Sequence, residues 1–316
     1  MRYLIRTLPV AAILFLACAK KEAPADSTSA ANQPAGSTAA KLGEATGMKT
    51  PESVRYDPEL DVYYISNING NPSQHDNNGF IAILRADSIS PSGAPMKMLV
   101  EGGKNGVTLD APKGLALSGD TLWVADINHV RAFDRKTGAK LADIDLTEQK
   151  ATFLNDVAIG GDGSVYVTDT GIAFNATGGQ THPGTDQIFK ISGGRTSVLR
   201  PDSLYSPNGI TWDKANSRFI LGGFAAKGVQ AWKEGDKQPT TLADGPGQYD
   251  GVEVLADGRI LVSSWADGTV NVVQNGKLSK LVGDVSAPAD IGVDTKRNVL
   301  AVPRFNDGKI DFFKIP

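Results

Sequence analysis

From residue 50 onward one pattern of apolar and polar positions recurs. A small or polar residue opens a short β-type run, a turn of Asp, Gly or Asn follows, a second β run ends on a polar residue, and a third run comes after it. The starts read PESVRYDPELDVYYISN from Pro51, PKGLALSGDTLWVAD from Pro112, LNDVAIGGDGSVYVTD from Leu154, PNGITWDKANSRFILGG from Pro207, YDGVEVLADGRILVSSW from Tyr249 and PADIGVDTKRNVLAV from Pro288. Third strands are predicted at 80–84, 130–133, 187–191, 229–232, 270–273 and 309–313, with fourth strands such as 96–100 and 278–282. β-branched and aromatic residues alternate with polar ones, and no amphipathic helix competes. Six repeats of this kind predict an all-β chain folded as a six-bladed β-propeller, with four antiparallel strands per blade. A plain β-sandwich leaves the repetition unexplained.

The sixth unit reaches Pro316 after only three strands, which would leave a bare sheet edge. Residues 41–46, just before the first unit, occupy the sequence slot of a fourth strand. The expectation is therefore that an N-terminal strand closes the last blade.

Composition changes the picture mainly at the N-terminus. Glycine, at 35 of 316 residues, exceeds the usual ~7% and suits tight turns. Thirty-two basic against 35 acidic side chains give a net charge of −3, so no electrostatic footprint for nucleic acid exists. Arg2 and Arg6 precede an apolar stretch over 8–17 that is too short to span a bilayer but has the length of a secretory signal core. It ends in Phe15-Leu16-Ala17-Cys18, which resembles a bacterial lipobox with Phe15 where Leu is preferred. Residues 1–17 read as a lipoprotein-type signal peptide with lipidation at Cys18; the rival is an ordinary signal peptide cut nearby. Residues 18–39, rich in Ala, Ser, Thr, Pro and Lys, read as a flexible tether, and residues 40–316 as the propeller. This predicts an exported, monomeric protein held on the periplasmic or extracellular side of a membrane through its lipid alone. Cys18 is the only cysteine, so no internal disulfide can form.

In a propeller the same slot of each innermost strand converges on the central axis. Aligning the six starts places Glu52, Lys113, Asn155, Asn208, Asp250 and Ala289 in that slot. Two carboxylates and two amides supply the hard oxygen donors that suit Ca²⁺, other divalent ions being admitted by the same set, whereas Zn²⁺ favours imidazole or thiolate. The bland alternative is a polar lining for a water-filled channel.

The six repeats carrying these residues resemble the SMP-30/gluconolactonase/luciferin-regenerating family and, more distantly, paraoxonases. The acidic residue of the family's GESPVWDP-like segment matches Glu52 of PESVRYDP. Its FND segment matches Asn155 of FLND, its PNG segment Asn208, and its PDG-like segment Asp250 of YDGVEV. The resemblance implies Glu52, Asn208 and Asp250 as metal ligands, with Asn155 a ligand or substrate contact. It also implies a lactone or ester hydrolase in which the metal polarises the carbonyl and a nearby base activates water. Two departures are informative. Family lactonases place an Arg two residues before the blade-three Asn, where this chain has Phe153 and hence a more apolar pocket. Paraoxonases place an Asp directly after the first-blade Glu, where this chain has Ser53, although Asp156 matches their other carboxylate.

Asp250 is the family-like candidate base. The chain's three histidines, His75, His129 and His182, all fall after the second strand of blades one to three and are expected around the mouth, with His129 as a second candidate base and His75 and His182 as substrate contacts. Lys113 is expected either to pair with Glu52 or Asp290 or to bind an anionic substrate group, and Phe153 to contact the substrate. The long loops at 67–79 and 171–186 suit a lid or recognition surface. Trp123, Trp212, Trp232 and Trp265 are expected to pack between blades. The competing function is a non-catalytic binding propeller of the NHL kind, which shares segments such as PKGLAL and presents its loop face to a ligand.

Overall fold

The computed structural model describes residues 39–316 apart from Pro91, Ala176 and Gly178. The signal segment, Cys18 and nearly all of the tether lie outside the described residues. Among those described, no helix is long and apolar enough to cross a membrane.

Six four-stranded antiparallel sheets form a six-bladed propeller. The innermost strands of blades one to five are Pro51–Asp57, Pro112–Ser118, Leu154–Ile159, Pro207–Asp213 and Tyr249–Val254. That of blade six is only Gly292–Asp294, shorter than the repeat predicts. The reason is a change of partner: Asp290 N donates to Glu52 O at 2.8 Å and Val54 N to Asp290 O at 3.2 Å, so the start of the sixth repeat bonds to blade one. Blade six is completed as expected. Ala40–Thr46 pairs antiparallel with Lys309–Lys314, the C-terminal strand, with Thr46 opposite Lys309 and Ala40 opposite Lys314.

Consecutive residues within a strand point to opposite faces, and here each face meets a different neighbouring blade. Tyr63 and Tyr64, both fully buried, illustrate this. Tyr63 joins Ile65, Leu84, Ile310 and Phe312 between blades one and six, while Tyr64 joins Ile81, Leu115, Val124 and Phe133 between blades one and two. Corresponding clusters fill the other four junctions. With each fully buried large apolar side chain worth about 1.5–3 kcal/mol, six interlocking cores hold the inner strands in a fixed ring.

The long loops differ from a plain insertion. Ala173–Phe174 and Gln180–Thr181 pair as a small hairpin within the blade-three loop. This hairpin is tied to the blade-one loop by Phe174 N donating to Ser73 Oγ at 2.9 Å and Asn71 Nδ2 donating to Asn175 O at 3.0 Å.

Candidate functional site

The same irregularity recurs at the top of five blades. Pairing of the inner strand with its neighbour slips by one residue after Pro51, Pro112, Leu154, Pro207 and Tyr249. Such a bulge places two residues opposite one and re-aims a side chain. The second residue of each inner strand is Glu52, Lys113, Asn155, Asn208 or Asp250, and all five line one cavity of about 260 Å³. The bulge leaves an extra backbone N–H, and a hydroxyl on the adjacent strand accepts it in three blades: Ser53 N to Ser66 Oγ at 2.9 Å, Asp156 N to Thr168 Oγ1 at 3.0 Å and Gly251 N to Ser263 Oγ at 2.8 Å. Two of these hydroxyls then donate across the blade junction, Thr168 Oγ1 to Asn208 O at 2.6 Å and Ser263 Oγ to Ala289 O at 2.8 Å. Asn208 and Ala289 are thereby fixed by the neighbouring blade as well as by their own. Close approach explains the glycine that follows the slot in blades four and five. A Cβ on Gly209 would stand 2.0 Å from Asp250 O, and one on Gly251 2.3 Å from Ile291 N.

The electrostatics of this ring are unbalanced. Glu52, Asn155, Asn208 and Asp250 are each no more than 5% exposed, yet Glu52 Oε2, Asn155 Oδ1, Asn208 Oδ1 and Asp250 Oδ1 have no hydrogen-bond partner. Buried oxygens are ordinarily paired, so four orphans from four blades on one cavity call for a ligand. Asn155 Nδ2 donates to Thr170 Oγ1 at 2.9 Å, and Thr170 Oγ1 donates to Pro207 O at 2.8 Å, which leaves the Asn155 carbonyl oxygen for the cavity. Burial pushes the Glu52 carboxyl well above the ordinary range, with repulsion from Asp250 and Asp290 adding to it. Burial and then Asp290 do the same to Asp250, with the Trp265 indole acting in the opposite sense. Two buried carboxyls and two carbonyl oxygens, all hard donors, fit a divalent cation of the Ca²⁺ type. Among the described residues no group of three or more His, Cys, Asp or Glu is arranged to hold a metal, so the fit depends on the two amides completing the set.

A second acidic layer adjoins the first, which the slot alignment does not reveal. Asp156 accepts Val157 N at 2.7 Å and Ile210 N at 2.8 Å. Ser53 Oγ donates to Asp290 Oδ2 at 2.5 Å. Arg55 threads between carboxylates, bonding Glu253 and lying 3.4 Å from Asp290 Oδ2, while its Nε donates to Leu115 O at 2.9 Å. The Ser53 departure therefore leaves a hydroxyl serving Asp290, and Arg55 supplies positive charge to this layer.

Lys113 corrects one expectation. It forms no ion pair with Glu52 or Asp290; its Nζ donates to Ala111 O at 3.0 Å and sits 4.3 Å from the centre of the Phe153 ring. Burial pushes its ammonium down to about 8, against the pull of Asp126 and Glu52. Lys113 and Phe153 both line the cavity.

The histidines are a second correction, since none of them lines the cavity. His129 opens the strand His129–Asp134 instead of lying in a loop, and its Nδ1 is 2.7 Å from Asp143 Oδ1. His75 Nδ1 is 3.0 Å from Asp110 Oδ2, and His182 Nε2 is 2.9 Å from Asp186 Oδ1. Each imidazole is tied to a carboxylate outside the cavity lining. Trp265 is a third correction. It follows the strand Ile260–Ser264, lines the cavity and packs against Phe224 and Phe305, with ring centres 5.7 and 5.2 Å away. Trp212 and Trp232 pack on Phe219 between blades three and four, as expected.

Fold and site together define a six-bladed propeller with a polyoxygen centre on its axis. The family model described as "SMP-30/Gluconolactonase/LRE-like region" matches residues 89–293, and the chain belongs to that family. Similar solved structures include a structural-genomics target assigned to the gluconolactonases by family, at 18% identity and a TM-score of 0.65 over 89% of this chain and 93% of that one. A Xanthomonas campestris gluconolactonase aligns at 15% identity and a TM-score of 0.62, over 90% and 99% of the two chains. A virginiamycin B lyase from Staphylococcus aureus aligns at 12% identity and a TM-score of 0.58, over 87% and 99%. No curated protein matches the sequence significantly.

Proposed function

We propose that the protein is an exported, lipid-anchored hydrolase of lactones or related esters that works with Ca²⁺ held by Glu52, Asn155, Asn208 and Asp250. The observation that carries this reading is the set of four unpartnered oxygens from four blades on one cavity. Family membership and the gluconolactonases among the structural relatives support it. Ca²⁺, when bound, supplies Lewis acidity toward the acyl carbonyl and charge for the developing oxyanion.

The chain's own groups divide the remaining work. Asp250, which lines the cavity, is the base that takes a proton from water as the water oxygen attacks the acyl carbon. The ring C–O bond then breaks, and the proton passes to the leaving alkoxide, giving a hydroxy acid. A bound cation would favour the ionised carboxylate and make Asp250 a weaker base. Lys113 in the wall adds positive charge where negative charge develops. Phe153 and the loop hairpin limit access of bulk water.

Hydrolysis of a lactone panel, followed by pH-stat after EDTA dialysis and again after adding Ca²⁺, tests the reading. Ca²⁺-dependent turnover lost in Asp250→Ala supports it. Bound Ca²⁺ with no hydrolysis of any lactone or ester would assign the chain to the binding propellers.

A further inference from the structure

The polar atoms of the cavity are gathered at its axial floor, and its walls are almost entirely apolar. Phe153, Ile172, Phe174, Phe224, Trp265 and Phe305 form them. Of the polar groups in the walls, the Trp265 indole N–H has no hydrogen-bond partner, while Thr170 and Lys113 are committed. Thr170 Oγ1 accepts from Asn155 and donates to Pro207 O. Gln180 is exposed on the hairpin. Lys113 spends one donor on Ala111 O and turns its charge to the Phe153 ring.

The aromatic wall is also held in place. Phe153 has the Lys113 ammonium against its ring and Phe174 at 5.8 Å, and its own N–H donates to Asp169 Oδ1 at 2.9 Å. Trp265 is gripped between Phe224 and Phe305. Phe174 is carried by the hairpin that latches onto the blade-one loop through Ser73 and Asn71. A rigid apolar wall over a polar floor recognises a molecule with one polar reacting end and an apolar body.

We propose that the substrate is a lactone bearing an alkyl or aryl body, which lies against Phe153, Phe174 and Trp265 while its acyl group meets the axial oxygens. This rests on the hydrolase reading above and narrows it. A polyhydroxylated sugar lactone fits poorly, because its several hydroxyls outnumber the free wall donors such as the Trp265 indole N–H, and those left unpaired lose water without gaining partners. An alkyl chain there instead removes apolar surface from water on both sides.

The test uses the folded chain without its signal segment, in Ca²⁺, with three lactones of one ring size: δ-decalactone, δ-valerolactone and glucono-δ-lactone. Expected is a kcat/KM for δ-decalactone at least about 100-fold above that for glucono-δ-lactone, with the ratio falling about tenfold in Phe174→Ala. A second readout needs no turnover: δ-decalactone titrated into the protein should change tryptophan emission, the change should vanish in Trp265→Phe, and glucono-δ-lactone should leave emission unaltered. Equal or better use of glucono-δ-lactone, or an emission response to it matching that of δ-decalactone, would overturn the inference while leaving the hydrolase reading intact. Binding of δ-decalactone at Trp265 with no lactone hydrolysed would uphold the apolar ligand class and remove the hydrolase reading.

Discussion

In the proposed hydrolase the chemistry turns on Glu52 and Asp250, and their surroundings make them a liability without a cation. Burial raises both carboxyl groups, so in metal-free protein the folded state holds their protons more tightly than the unfolded state does. A raised carboxylate contributes stability that is present below its unfolded value and is lost as pH rises toward its folded one. In EDTA, melting temperature should therefore fall as pH rises from about 4.5, and Ca²⁺ should flatten or reverse that slope; a calorimetric pH series in both buffers checks this. Glu52→Gln should raise the metal-free melting temperature and abolish the stabilisation by Ca²⁺. Thr170→Val frees the amide that Thr170 orients on Asn155, and calorimetric titration should show a loss in Ca²⁺ affinity of about tenfold or more. Arg55 is the counterpart in the second layer. Arg55→Met strips Asp290 and Glu253 of their buried cation and should cost about 3–5 kcal/mol in urea unfolding.

At the level of elements, the inner strands position the site through a repeated bulge, and its supports set clear sensitivities. Gly209→Ala forces a Cβ against the Asp250 carbonyl and should lower stability by about 1–3 kcal/mol, with loss of metal binding because the displaced backbone carries Asp250, a proposed ligand. The slot residues themselves were legible in the sequence, since turn spacing and strand alternation align Pro51, Pro112, Leu154, Pro207 and Tyr249. Their support was written less plainly. Ser66, Thr168 and Ser263 stand at matching places in YYISN, YVTD and LVSSW, yet nothing in a single strand says that a hydroxyl there must satisfy a bulge on its neighbour. The histidines misled for a related reason. Sequence places them in the right connections, but Asp143, Asp110 and Asp186, which pair with the rings, lie outside the repeat alignment. Trp265 likewise belongs to the cavity because the strand before it ends at Ser264.

For the molecule as a whole, ring closure joins the two ends of the propeller. The strand Ala40–Thr46 caps the open edge of Lys309–Lys314, with Glu44 held between Lys41 and Lys309 at 2.9 and 3.1 Å. A chain beginning at Gly47 should expose that edge and associate through it, which size-exclusion chromatography would show as a shift from a single species to large aggregates. The closure was readable because an unfinished sixth repeat requires a partner. The acidic second layer was not, since it arises from side chains of blades one, three, five and six that meet only in the closed ring. The central claim is that four oxygens from four blades bind one ion. Anomalous diffraction from crystals grown in Ca²⁺, with calorimetric stoichiometry on the same protein, tests it most directly. Expected is one site per chain contacted by Glu52, Asn155, Asn208 and Asp250, and lost in Asp250→Asn. An ion elsewhere, or no ion at these residues at saturating Ca²⁺, would contradict it.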